Sequence, residues 1–177
     1  VLAARRVREL EPIAADLRVR GAADVALESF EALDFERHQD FVARCFEHAG
    51  GALDGVVVCH GTLPDQAATE HDAALVRKTI DTNLTSAISV LHAVALRMEA
   101  QGAGWIAGIG SVAGDRGRAS NATYGAAKAG LATFLSALRQ RLAKRGVYVL
   151  SVKPGFVHTA MTAGIVDPSS PLVATPD

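Results

Sequence analysis

Short apolar runs alternate with longer amphipathic segments along most of the chain, and that alternation leaves few folds open. The runs are VLAA (1–4), VALESFEAL (25–33), LDGVVVC (53–59), WIAGIG (105–110) and VYVLSV (147–152). Three of them are nearly continuous in apolar residues, as parallel strands covered on both faces tend to be. Between the runs, residues 36–49 put Phe41, Val42, Cys45 and Phe46 on one stripe and stop at Gly50-Gly51. Residues 72–99 carry a longer stripe that includes Leu84, Leu91, Val94 and Met98. Residues 123–145 repeat Leu131, Leu135, Leu138 and Leu142 at helical spacing and gather Arg139, Arg141, Lys144 and Arg145 where cations suit the helix dipole. Strand–helix alternation of this kind predicts an α/β fold, a Rossmann-like doubly wound parallel sheet. Ligands of such sheets bind outside the carboxyl ends of the strands. Segments 5–6, 34–35, 60–66, 110–122 and 154–163 are therefore where function is expected.

The 177 residues suit a single domain spanning 1–177. At 49% hydrophobic but only 5% aromatic, the core must rest on Ala, Val, Leu and Ile, which lets helices pack closely on a sheet. A formal net charge of −1 gives no general electrostatic reason to expect nucleic acid or a membrane surface as partner. No stretch approaches the ~20 apolar residues of a membrane span, and VLAARR does not open a signal peptide. Cys45 and Cys59 form no CxxC pair, and Cys59 in its apolar run is expected to be buried. A reduced, cytoplasmic setting fits this cysteine usage. The histidines, His60 included, show no metal-ligand spacing, so no metal is expected.

The chemistry concentrates in YGAAK (124–128), with Ser111 upstream in IGSVAG. Residues i and i+4 share a helix face, so Tyr124 and Lys128 point the same way. A nearby cation favours phenolate and lowers a phenol's pKa from ~10, toward the range useful for acid–base work. Ser111, just past a strand, can hydrogen-bond the same substrate oxygen. A lone YxxxK is usually an ordinary helix surface, but the small flanking residues and the strand–loop–helix order favour the catalytic reading.

The segments DTNL (81–84), IGSVAG (109–114), YGAAK (124–128) and KPGFVHTAM (153–161) together resemble the short-chain dehydrogenase/reductase family, in that family's order and spacing. The resemblance implies that Tyr124 is the general acid–base, that Ser111 orients and polarises the carbonyl, and that Lys128 lowers the phenol pKa and holds the nicotinamide ribose. It implies that Asn83 fixes a local helix distortion and a water of the proton relay. Pro154 and Gly155 would lead the backbone at Val157 and the Thr159 hydroxyl to the nicotinamide carboxamide. Gly61 keeps a family glycine beside the cofactor, while His60 takes a small residue's place. Asp34 matches the adenine-contacting acid and could equally be the N-cap of the 36–49 helix.

Arg5 and Arg6 follow the first run, and no acid stands in LAARRV. An acid there would select the free 2′-hydroxyl of NAD, whereas Arg accommodates the 2′-phosphate of NADP. NADP(H) is therefore expected over NAD(H). The family's glycine-rich phosphate loop is not in this chain. The chain reads as starting at the family's second strand and as stopping at VATPD, the start of a further helix, so the first strand and the C-terminal end are expected to be lacking. The expected reaction interconverts a ketone and a secondary alcohol on a small-molecule substrate.

HGTLPDQ (60–66) and SVAGDRGRASNATYGAAKAGLATFLSALRQRL (111–142) are more narrowly similar to decaprenylphosphoryl 2-keto-ribose reductases. That similarity implies a phosphate-bearing or lipid-linked sugar facing Arg116 or Arg118. The family also implies a homodimer or homotetramer through its long helices. Two alternatives stay open: a non-catalytic scaffold that binds a partner, and a sugar-nucleotide epimerase or dehydratase that uses the same Tyr–Lys pair.

Overall fold

The computed structural model describes residues 1–167 and 169–175. Strand β1 (Leu2–Ala4) leads through a 3-10 turn (Val7–Leu10) into helix α1 (Glu11–Val19), and strand β2 (Leu27–Ser29) returns parallel to β1. A second 3-10 turn (Phe35–Arg37) opens helix α2 (His38–His48), followed by strand β3 (Gly55–Val58). Helices α3 (Gln66–His71) and α4 (Ala73–Ile80) then run through a π-helical turn (Asp81–Thr85) into α5 (Ser86–Gln101). Strand β4 (Gly104–Ile109), helix α6 (Ala122–Leu142) and strand β5 (Val147–Val152) complete the central alternation, and two short strands, β6 (Phe156–Val157) and β7 (Val173–Ala174), pair in parallel. Strands β3, β4 and β5 form one parallel ladder, in register from Gly55↔Trp105 and from Gly104↔Val147. The α/β, parallel-sheet Rossmann-like architecture expected from the alternation is the one present.

Apolar stripes on α2, α5 and α6 make the core. Phe46, Leu91, Met98, Leu131, Leu135 and Leu142 are buried against Ile106, Val147 and Val149. Close approach of α6 to the sheet depends on Gly108, where a Cβ would lie 2.5 Å from Leu135 Cδ1. The helix α5 ends at Gly102 in the left-handed conformation (φ 76°), the usual glycine stop.

The opposite face differs from expectation. Val57, Trp105, Tyr148, Leu150 and Val152 are exposed there, Tyr148 at 76%. Residues of one strand face alternate sides, so Gly55, Val57 and Cys59 share that side, and Cys59 is exposed rather than buried. The reading of these runs as covered on both faces therefore holds for the α5–α6 side only. The Trp105 ring lies over Gly55, in the space a Cβ would take. Other corrections concern boundaries. The 25–33 run yields a strand only at Leu27–Ser29, because Phe30 and Ala32 turn inward beyond it. Val173 and Ala174 are strand rather than the start of a helix, and Pro176 and Asp177 lie outside the described residues.

Glu28 ties β2 to α2 through Arg44 (3.1 Å) and His48 (2.8 Å). Burial alone would raise the Glu28 pKa, but hydrogen bonds from His48 and Arg44 outweigh it and hold the carboxyl below its ordinary value. A carboxyl depressed in the native state contributes stability above its unfolded pKa, and that contribution is lost as pH falls through the folded pKa. Glu28→Gln is therefore expected to lower the urea midpoint at neutral pH and to shrink the gap to wild type through the acid range. Parallel midpoint curves for the two proteins would show that the cluster contributes nothing.

Candidate active site

All the strands of each ladder are parallel, so their carboxyl ends collect on one rim. Phe30, just after β2, packs its ring 5.0 Å from that of His60, just after β3. The contact brings the rims of the two ladders together. β4 delivers Ser111 and β5 delivers Pro154, and the two loops are joined where the Val112 N–H donates to the Pro154 carbonyl (3.1 Å).

Helix α6 enters this rim with its first turns pressed on the Ser111 loop. A Cβ on Gly125 would lie 2.8 Å from the Ala113 carbonyl oxygen, and one on Gly114 would lie 2.7 Å from the Ala129 nitrogen. These glycines hold Tyr124 and Lys128 against the loop. The Ser111 hydroxyl lies close enough to the Tyr124 phenol to lower its pKa and accepts from the Ala113 N–H (3.1 Å). Lys128 is 4% exposed. Its Nζ donates to the Ile109 carbonyl (2.9 Å) and stands 5.7 Å from the Tyr124 ring centroid. Ser111 and Lys128 thus both stand beside Tyr124.

Asn83 sits at the centre of the π-helical turn and is fully buried. Its Nδ2 donates to the Thr62 and Thr79 carbonyls (both 2.9 Å), and its Oδ1 accepts from the Thr62 N–H (3.0 Å). Gly61 passes between: a Cβ there would lie 2.6 Å from Asn83 Oδ1 and 3.7 Å from Lys128 Nζ. Helix α3 closes this side, with Gln66 Oε1 accepting from the Thr123 N–H (3.3 Å).

The electrostatics depart from the simple expectation. Burial pushes the Tyr124 phenol up, offset in part by the Ser111 hydroxyl, and Lys128 is not among the groups that shift it. The ammonium is turned to the Ile109 carbonyl and lies beside the ring rather than at the hydroxyl. Burial also lowers the Lys128 pKa, with Cys59 acting in the other direction. His60 is held down at about 4 by burial, then by Lys128 and His38, so it is neutral at ordinary pH.

The remaining expected residues lie around the rim. Arg5 and Arg6 are exposed just beyond β1, and Arg6 pairs with Glu9 (3.0 Å). Glu9 gives the cation at the helix start a partner within the chain. Asp34 lines a cleft of about 70 Å³ with Phe30, Glu31, Arg37 and His38. It makes no capping hydrogen bond, so the N-cap reading is corrected: the helix begins with a 3-10 turn, and the carboxylate instead faces Arg37 at 3.8 Å. Gly155 is exposed, Val157 lies in β6, and the Thr159 N–H donates to Thr162 Oγ1 (3.1 Å). No hydrogen bond or ion pair among the described residues joins Arg5, Arg6, Asp34 or Thr159 to Ser111, Tyr124 or Lys128. Among the described residues no group of three or more His, Cys, Asp or Glu side chains is placed to hold a metal ion.

A family model for short chain dehydrogenases matches residues 1–169. The chain belongs to the short-chain dehydrogenase family. This short-chain dehydrogenase is 40% identical over 178 residues to an uncharacterized oxidoreductase of Mycobacterium tuberculosis strain H37Rv, an alignment that takes in the whole chain and 70% of that relative. The crystal structure of an actinorhodin polyketide ketoreductase with NADPH superposes with a TM-score of 0.81 at 30% identity, over 92% of this chain and 62% of that one. A Beutenbergia cavernae protein, assigned as an NAD(P)-dependent gluconate 5-dehydrogenase and solved with bound NADP, gives 0.82 at 28% identity, over 93% and 65%. The chain thus spans about two thirds of the length of these relatives. No helix among the described residues of this short-chain dehydrogenase is long and apolar enough to cross a membrane.

The residues that sequence reasoning missed are the polar ties behind the site. Ser86 holds His60 Nε2 (2.9 Å) and Ser89 holds His38 Nδ1 (2.9 Å). Two serines three apart in the apolar first half of α5 were the available signal.

Proposed function

We propose that the protein is an NADP(H)-dependent oxidoreductase that interconverts a ketone and a secondary alcohol, with Tyr124 as general acid–base. The placing of Ser111 and Lys128 beside Tyr124 at the carboxyl end of the sheet carries the reading. The residues fit a dinucleotide. Lys128 is buried yet uses one of its three donors, and the bare Gly61 backbone opposite leaves the room that a Cβ would fill. Tyr124 and Lys128 would hold the nicotinamide ribose hydroxyls, and the segment Pro154, Gly155, Val157, Thr159 would meet the carboxamide. Arg5, Arg6 and Asp34 would face the adenosine end. Bound there, the dinucleotide supplies or accepts a hydride. Ser111 holds the substrate oxygen beside the phenol. Because burial raises the Tyr124 pKa, the phenol is protonated near neutral pH and stands ready to give its proton to that oxygen. Asn83 keeps Thr62 and Gly61 in place behind Lys128.

NADP(H) is favoured over NAD(H) because the first seven residues, Arg5 and Arg6 among them, contain no acid, and the NADP and NADPH in the two solved relatives support that choice. Arg116 and Arg118, exposed on the Ser111 loop, suit a substrate with a phosphate, such as a phosphate-bearing or lipid-linked sugar. A cytoplasmic homodimer or homotetramer completes the reading.

Fluorescence titration of the full-length protein tests it. Saturable binding is expected, with NADPH about tenfold or more tighter than NADH, the scale of one hydrogen bond to a charged group. Equal affinities would remove the NADP preference. Absence of binding to a folded sample would remove the oxidoreductase reading.

A further inference from the structure

His60 leaves β3 with its ring held from two sides. Nε2 lies 2.9 Å from the Ser86 hydroxyl, and the ring meets Phe30 edge-on at 5.0 Å. Two residues on, the Thr62 N–H donates to Asn83 Oδ1 and the Thr62 C=O accepts from Asn83 Nδ2. The 60–62 loop is therefore fastened twice to one stretch of helix, at Asn83 and three residues later at Ser86. Gly61 lies between the fastenings and faces Lys128 Nζ.

Phe30 carries the tie to the other ladder. Its N–H donates to the Ala4 carbonyl (3.1 Å), one residue before Arg5, and its ring packs on Phe41 and His38. Among the described residues β1–β2 and β3–β4–β5 share no strand pairing. On the rim, the His60 ring bridges the two ladders.

We propose that His60 is a positioning residue whose Ser86 bond and Phe30 contact lock the 60–62 loop, keeping the Gly61 backbone against Lys128 and Asn83 and joining the adenosine side of the site to its catalytic side. The consequence for NADPH affinity rests on the oxidoreductase reading; the structural one does not. A neutral ring suits the role. A hydroxyl satisfies its Nε2 whichever atom donates, and no second cation is placed beside Lys128.

Four variants of the full-length protein separate positioning from mere packing. His60→Ala removes both contacts, His60→Phe keeps the ring without the hydrogen bond, His60→Gln retains a polar side chain that can reach Ser86, and Ser86→Ala removes the bond from the other side. In the ligand-free protein, His60→Ala should speed amide exchange at Thr62 by about fivefold beyond any global change, the scale of one net hydrogen bond. His60→Phe and Ser86→Ala should each give part of that increase, and the double variant no more than either single, with His60→Gln recovering most of the protection. NADPH affinity should fall by a similar factor in His60→Ala while the midpoint of unfolding moves little. Thr62 exchange that only follows global unfolding, or single effects that add, would overturn the role. Failure of the wild type to bind NADPH would remove the oxidoreductase reading, and the exchange results would still decide this one.

Discussion

Tyr124→Phe is expected to lower kcat for ketone reduction by at least about 100-fold, the usual scale of general acid–base catalysis. The substitution deletes one hydroxyl. The ring that packs beside Lys128 Nζ stays, as do Ser111 and the glycines that seat α6. The unfolding midpoint should therefore remain close to wild type, cofactor affinity should fall only by about the tenfold or less that one net hydrogen bond is worth, and the larger loss should fall on kcat. The direction of the phenol's shift adds a second signature. Burial raises its pKa, so reduction, which needs the protonated phenol, should hold steady across the neutral range. Alcohol oxidation, which needs the phenolate, should climb as pH rises into the alkaline range. Initial rates from dinucleotide absorbance in both directions measure this. A Phe variant that turns over near the wild-type rate would remove Tyr124 from the chemistry.

Asn83→Leu should cost roughly 3–5 kcal/mol of folding stability, near the top of the range for single substitutions. Leu has a similar volume, so no cavity explains the loss. The Thr62 N–H and carbonyl and the Thr79 carbonyl lose the side chain that now satisfies them, and each unpaired buried group costs about 1–3 kcal/mol. Because Thr62 follows Gly61, turnover should fall as well. Urea unfolding of the two proteins at one pH gives the number. A difference below about 1 kcal/mol would mean that water or a shifted backbone replaces the side chain, and that the Asn83 clamp is not what shapes the turn.

Periodicity made the layers legible. The run 147–152 is β5 without adjustment, and the Leu131–Leu142 stripe is the buried face of α6. The pairing of Tyr124 with Lys128 was legible because helix geometry alone puts i and i+4 together. Ser111 was harder, since its place depends on how closely α6 docks, which Gly114 and Gly125 decide through contacts invisible in a linear pattern. The Tyr124 pKa was misjudged for a related reason. Spacing shows that a cation is near, but only three dimensions show that it turns to the Ile109 carbonyl while the hydroxyl is desolvated. Cys59 was misplaced because an apolar run tells how greasy a strand is and not which of its faces is covered. Short elements such as α3 and the β6–β7 pair are too brief to show a period. The His60–Ser86 and Phe30–His60 contacts join residues far apart in sequence, where only the fold makes neighbours.

The wide turn at Asp81–Thr85 closes with the Ser86 N–H on the Asp81 carbonyl, a span of five residues rather than four. It amounts to one surplus residue spliced into an otherwise regular rod. Losing one amino acid from that stretch would let the rod regularise, and the residues after it would keep their faces, because the wide turn fits its extra residue into about the angle of an ordinary one. Leu91, Val94 and Met98 would still meet the sheet, while Asn83 would lose the place from which it reaches Thr62 and Thr79. The surplus residue thus serves the clamp behind the site rather than the core.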